Sequence, residues 1–260
     1  MIYMFNLKEL DFTIPEFWDL SNSLARNYKP ITMAEYFSFE HLPKRFAIIR
    51  HDVDRMPGNS LKTARIESEL GIKATYYFRA TKNVFIPKII KEISDLDHEI
   101  GYHYEVLSDA AGDYSKAIKL FEHHLSEFRK ICDIKTISMH GRPLSKYDNR
   151  DLWKVHDFRK FGILGEAYLS AGHELNYLSD TGRSWGTKNC LRDFIPGKNE
   201  NFSVDTTSEL IDLVESKELD NLYILSHPER WSSSMIDWGL YFGMDFAVNF
   251  VKKGLMAVRK

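Results

Sequence analysis

Residues 46–54 read Phe46-Ala47-Ile48-Ile49-Arg50-His51-Asp52-Val53-Asp54. An apolar run that ends in polar residues is the pattern of a buried strand whose C-terminal end opens onto something other than the core. Side chains alternate faces along a strand. Asp52 and Asp54 therefore share one face, and His51 takes the other.

The same pattern repeats further along the chain. Lys73-Ala74-Thr75-Tyr76-Tyr77-Phe78 is rich in strand formers, and His98 to Glu105, Thr136 to His140 and Leu222 to His227 read as further strands. Helical spacing fills the gaps: 60–70, stopped by Gly71, then 87–96, 114–131, 206–216 with a Thr206 or Thr207 cap, and a last helix over about 234–252. The stretch 145–200 is less clear, with short strands expected at 164–168 and 176–180. Strands alternating with helices predict a parallel sheet with right-handed crossovers. About seven such units fit an α/β fold of the barrel type, a deformed or incomplete (β/α) barrel, with the site at the C-terminal strand ends. Ahead of it, residues 1–44 read as a helical lead-in packed on the barrel domain of 45–260, with Phe17, Leu20, Leu24 and Tyr28 at helical spacing between Pro15 and Pro30.

Bulk properties narrow the classes. With 260 residues and 43% apolar content, one large core needs no disulfide staples. Net charge is −2 and no Lys/Arg block of the kind a phosphate backbone requires stands out, so nucleic acid is not an expected partner. Cys132 and Cys190 lie far apart and form no metal-binding pair, which favours a reducing compartment. Charges interrupt the first residues too early for a signal peptide, and no run approaches the ~18 apolar residues of a membrane span. The expectation is a cytoplasmic protein, with membrane association through a partner left open.

Position carries more information than count. Five strands end in residues able to bind a metal or move protons: Asp52 and Asp54, His103 and Glu105, His140, Asp180, and His227. Parallel neighbouring strands would bring these ends to one rim. A single Asp there is usually a helix cap or turn residue, but a whole set needs several coincidences. Two carboxylates held close raise each other's pKa unless a cation intervenes. His and Asp donors around an open position suit one divalent ion, zinc first, with cobalt, nickel or manganese as alternatives.

These residues carry a family resemblance. Arg50-His51-Asp52-Val53-Asp54 resembles the variant "RHDVD" first motif of the NodB-type polysaccharide deacetylases, carbohydrate esterase family four. His98-Glu99-Ile100-Gly101-Tyr102-His103 resembles the second motif, Gly141-Arg142-Pro143 the third, Asp180 to Trp185 the fourth, and Leu225-Ser226-His227 the fifth, all in the family's order. The second motif departs from the pattern: the family's further histidine, four residues after the first, is Leu107 here. Either His140 or Glu105 stands available in its place, and His140 keeps the Asp-His-His chemistry.

The resemblance implies removal of an N-acetyl group from a sugar, a nucleotide sugar or a glycan precursor, on a glycoside-hydrolase/deacetylase-like barrel. It implies Asp54, His103 and His140 as metal ligands, and Asp52 as general base set by Arg142. His227 would be the general acid, oriented by Asp180. Trp185 and Leu225 would form the wall around the acetyl methyl, with Tyr102 and Glu105 as further substrate contacts; Trp231, Trp238 and Tyr104 are other candidate stacking faces. Two rival readings stay open: a metal-dependent amidase or esterase on a non-sugar small molecule, and a catalytically degenerate member that binds carbohydrate. The oligomeric state is not legible.

Overall fold

The structure is a computed structural model that describes residues 10–142, 145–185, 195 and 204–258; side chains are described as far as Phe246. The lead-in residues 1–9, Pro143 of the third motif and Cys190 lie outside the described residues.

Among the described residues eight strands form one sheet: β1 (Lys29–Ile31), β2 (Phe46–Val53), β3 (Thr75–Arg79), β4 (Glu99–Tyr104), β5 (Thr136–Met139), β6 (Gly165–Glu166), β7 (Asn176–Ser179) and β8 (Asn221–Ser226). The order is β6-β5-β4-β3-β2-β8-β7, with β1 beside β2, and every pairing is parallel. Helices α1 (Ile14–Asn27), α2 (Met33–Ser38), α3 (Pro57–Glu69), α4 (Pro87–Asp95), α5 (Val106–Asp109), α6 (Tyr114–Arg129), α7 (Thr207–Ser216) and α8 (Met235–Val258) connect or flank the strands.

The sheet curls without closing. Among the described residues β6 and β7, its two ends, do not pair. Side chains nevertheless meet across that seam: the Tyr223 hydroxyl donates to the Ala167 carbonyl at 3.1 Å, and the Tyr168 and Tyr177 rings stand 6.4 Å apart. A deformed, incomplete barrel of seven parallel strands, with a short eighth at its side, is therefore the architecture. The lead-in is more than helical, because β1 extends the sheet at β2 through register Lys29↔Phe46. A capping box then starts α2: Thr32 caps the Glu35 N–H, and the Glu35 carboxylate accepts from Thr32 N–H.

β2 is buried along its whole length, as a central strand covered on both faces must be. Its outward face packs on α1 and α3. His51 meets Glu67 at 2.7 Å there, and its ring stacks on Tyr76 with centroids 4.4 Å apart. Its inward face carries Arg50 and Asp52. Gly101 on β4 admits the Tyr77 ring against its backbone, where any Cβ would overlap that ring. The short strand expected over 164–168 shrinks to Gly165–Glu166, because Glu166 turns its carboxylate onto the amides of Met139, Tyr168 and Leu169 and ends the pairing.

Candidate active site

β2 delivers Asp52 and Asp54 to the barrel mouth, β4 delivers His103, β5 ends at His140, and β8 ends at His227. The register sets them side by side, with His51 opposite Ser226 on β8 and His103 opposite Ser138 on β5.

Asp54 is the meeting point. Its Oδ1 lies 3.3 Å from His103 Nε2 and 3.5 Å from His140 Nε2, and its Oδ2 lies 3.9 Å from His227 Nε2. That Oδ1 is buried and has no hydrogen-bond partner among the described residues. The histidine tautomers follow from the other ring nitrogens. His103 Nδ1 faces the Ser138 carbonyl at 3.1 Å, and a carbonyl only accepts, so Nδ1 carries the proton. His140 Nδ1 faces the Glu105 carboxylate at 2.9 Å with the same consequence. Both rings then turn their Nε2 atoms toward one carboxylate oxygen, an arrangement that needs a proton or a cation between them. In the metal-free protein a proton takes the role. Burial lowers the His140 pKa, but Asp54 and Glu105 outweigh it and hold the imidazole at about 9. Burial likewise opposes ionisation of Asp54, yet His140 and His103 keep its carboxyl well below the usual range.

Carboxylate and imidazole are donor types that a divalent ion takes. Ligand atoms ~2.1 Å from a tetrahedral ion stand about 3.4 Å apart, and two of the three donor pairs already have that spacing. The third is less tight, since the His103 and His140 rings meet edge to face with centroids 5.2 Å apart. Among the described residues no group of three or more such donors has the compact array of a loaded site.

Glu105 stands behind His140 rather than at the ion. Its Oε1 accepts from Arg79 Nε and Nη2 at 3.0 and 2.5 Å, and Arg79 Nη1 reaches on to the Asp54 carbonyl at 3.1 Å. Burial would raise this carboxyl, but His140 and Arg79 bring it down to about 2. Leu107, in the place of the family's further histidine, is a buried core residue on α5.

Asp52 is held from its own strand. Arg50 donates to Oδ1 from Nε at 2.8 Å and to Oδ2 from Nη2 at 2.6 Å. Arg50 is fully buried, and Ser138 Oγ at 2.6 Å, Tyr223 Oη at 3.0 Å and the Tyr168 ring at 4.2 Å complete its surroundings. Arg142, expected to set Asp52, instead pairs with Asp109 and stands 3.8 Å from Glu105. The reason is reach: Arg142 lies beyond β5 on the rim, while Arg50 lies two residues from Asp52 on the same face. Strand parity alone could have revealed Arg50.

His227 and Asp180 meet as expected, with Nδ1 2.6 Å from Oδ1 and the His227 N–H donating to Oδ2 at 2.8 Å. Arg230 also pairs with Asp180. Burial and Arg230 lower the His227 pKa, but Asp180 and Asp54 prevail and raise it. Sequence reasoning missed Glu229. Its Oε2 is buried without a hydrogen-bond partner among the described residues, and burial together with the charge of Asp54 pushes its carboxyl up to about 7.

Three expected substrate contacts lie elsewhere or under cover. Tyr102 points outward to α6, where its hydroxyl meets His124 Nδ1 at 2.7 Å, because residue 102 has the opposite parity to His103. Trp185 is buried in an aromatic cluster, 5.9 Å from the Phe12 ring, with Nε1 donating to Thr207 Oγ1 at 3.1 Å. Leu225 shares the inward face of β8 with Tyr223 and His227 but is itself buried. Tyr104 and Trp231 are buried, and Trp238 stacks on Phe242 of its own helix.

No known family's profile matches the chain, and no curated protein matches it. Solved structures do align. A CE4 family pseudoenzyme from Bacillus anthracis is 13% identical with a TM-score of 0.45, covering 82% of this chain and 63% of its own. A mutant of such a CE4 family pseudoenzyme, described as having restored enzymatic activity, aligns at 13% identity and TM-score 0.45, covering 82% of this chain and 65% of its own. The Xyl-CE4 domain of a multidomain xylanase from the hindgut metagenome of Trinervitermes trinervoides aligns at 12% and 0.41, covering 82% and 92%. The chain thus spans just under two thirds of the length of the first two.

Proposed function

We propose that this chain is a metal-dependent hydrolase that removes an N-acetyl group from a sugar, nucleotide sugar or glycan precursor. The observation that carries the reading is the convergence of two imidazole Nε2 atoms, each with its Nδ1–H already engaged, on the orphaned Asp54 Oδ1. The ordered motifs from Asp52 to His227 support the same chemistry.

Asp54, His103 and His140 would hold one divalent ion, zinc by donor type, which when bound polarises an acyl carbonyl and acidifies water. Asp52 takes the proton of the attacking water. Arg50 holds this carboxylate immobile by two parallel bonds, and each oxygen keeps a lone pair for the incoming proton. His227 delivers a proton from Nε2 to the departing amine. Asp180 fixes Nδ1–H and favours the charged ring that this role needs. Asp52 comes from β2 and His227 from the end of the neighbouring β8, with His227 Nε2 3.9 Å from Asp54 Oδ2. Glu105 and Arg79 keep His140 turned toward Asp54.

Metal analysis of protein purified without chelators tests the reading, with Asp54→Ala and His140→Ala as controls. Acetate release from N-acetylated nucleotide sugars and from chito-oligosaccharides is the second arm. Near-stoichiometric metal lost in both variants, with acetate release from one substrate class, supports the proposal. A wild-type chain that takes up no added zinc, cobalt, nickel or manganese sinks it.

A further inference from the structure

Asp245, on α8, is buried and faces three arginines among the described residues. Its Oδ1 accepts from Arg55 Nη2 at 2.6 Å, its Oδ2 accepts from Arg183 Nε at 2.8 Å, and Arg230 Nε stands 3.7 Å from Oδ2. These arginines belong to three separate segments of the barrel mouth. Arg55 follows Asp54 after β2, Arg183 lies in the loop after β7 that begins with Asp180, and Arg230 ends the helical turn Pro228–Arg230 that follows His227 after β8. One carboxylate on a helix distant in sequence therefore ties together the segments that carry Asp54, Asp180 and His227.

Arg230 leads directly to the His227–Asp180 pair. Its Nη1 donates to Asp180 Oδ1 at 2.5 Å and to the Asp180 carbonyl, and its own carbonyl accepts from Arg183 Nη2 at 3.3 Å. The same Asp180 Oδ1 meets His227 Nδ1 at 2.6 Å. Arg183 closes the loop from the other side, where its N–H donates to the Asp180 carbonyl at 2.9 Å. It keeps a left-handed backbone, φ 58°, which a β-carbon disfavours and which surrounding contacts must hold. Without the Asp245 charge, the Arg183 guanidinium, itself buried, has no ionic partner among the described residues. Stranding a buried charge is costly, and Asp180, three residues away, is the carboxylate it would compete for at the expense of His227.

We propose that Asp245 is a positioning residue of the active site: by holding Arg183 and Arg230 it keeps Asp180 on His227 Nδ1. The consequence for turnover rests on the proposed reading of His227 as general acid. The consequence for the His227–Asp180 bond does not.

Proton NMR of the full chain tests the bond apart from catalysis. An imidazole N–H held this closely by a carboxylate resonates far downfield, and His227→Gln identifies the signal by its loss. Asp245→Asn should shift or erase that signal, while the Nδ1–H signals of His103 and His140 stay in place. Arg183→Gly removes the same tie and suits the left-handed backbone, so it should have the same effect without straining the loop. In acetate release both variants should lower kcat by about a hundredfold with KM unchanged. The proposal is overturned if Asp245→Asn keeps the wild-type His227 signal or, should that variant not fold, if Arg183→Gly keeps it. It is equally overturned if all three histidine signals move together or neither variant folds, since Asp245 would then be structural only. A wild type that shows the signal but releases no acetate from either substrate class sinks the hydrolase reading alone, and the signals of the variants still decide the proposal.

Discussion

Glu105 and His140 are joined side chain to side chain, carboxylate Oε2 to imidazole Nδ1, at 2.9 Å. That bond settles which way the His140 ring turns its other nitrogen, and it gives Glu105 a task distinct from ligation. Replacing Glu105 by Ala should therefore leave all three donors in place yet weaken metal binding by about 10–100-fold, the usual cost of losing such a supporting partner. Calorimetric titration with zinc measures it. A variant with unchanged affinity would show that His140 needs no orientation. Leu107→His should not compensate, because residue 107 faces the core.

Arg50 and Asp52 form a buried ion pair with two hydrogen bonds. Removing one partner of such a pair strands the other, at a cost of about 3–5 kcal/mol. Arg50→Met should lower the urea midpoint accordingly. Adding Asp52→Leu should recover most of the loss while leaving hydrolysis absent. If the double variant is no more stable than the single one, the pair is not what holds this part of the barrel.

The metal-free protein should have a pH-dependent stability set at His140. Its folded pKa is raised to about 9 from the ordinary 6.5, against burial and because of Asp54 and Glu105. A raised pKa means the folded state binds the proton more tightly than the unfolded state does. The stabilisation is fully present below pH 6.5 and is lost as pH rises through about 9. Denaturant midpoints of chelator-treated protein should fall across that window. His140→Gln should flatten the fall, and saturating zinc should do the same by taking the proton's place. A flat profile in the metal-free wild type would contradict the assignment.

Gly101 is needed for space rather than for an unusual backbone angle. A methyl group there would overlap the Tyr77 ring, which must shift and pull its hydroxyl from Thr136, now 2.8 Å away. Gly101→Ala should cost about 1–3 kcal/mol, read as a lowered melting temperature. Pairing it with Tyr77→Leu should recover part of the loss. Independent, additive losses would mean that the two residues do not share this space.

The motif order and the strand ends were legible in the sequence because strand alternation is a property of covalent geometry. Two residues apart means one face, so Asp52 and Asp54 could be placed together and His51 behind them before any fold was known. The same rule, applied to Arg50 and Tyr102, would have put Arg50 beside Asp52 and Tyr102 on the helix side. The sequence also determined that apolar runs ending in His, Asp and Glu recur, which is enough for a parallel sheet with a polar mouth.

Only the tertiary structure decided how the long side chains meet. Arg142 and Arg50 are equally charged and both near strand ends. What separates them is that Arg142 is caught by Asp109 on the rim while Arg50 is enclosed under Asp52. Glu105 and His140 come from different strands, and their bond depends on β4 and β5 being neighbours in register Tyr104↔Met139. Trp185 followed Phe12 and Thr207 into the core because a large ring far from regular structure packs where space is left. Local geometry tells which face a residue takes; only the pairing of distant strands tells what it meets there.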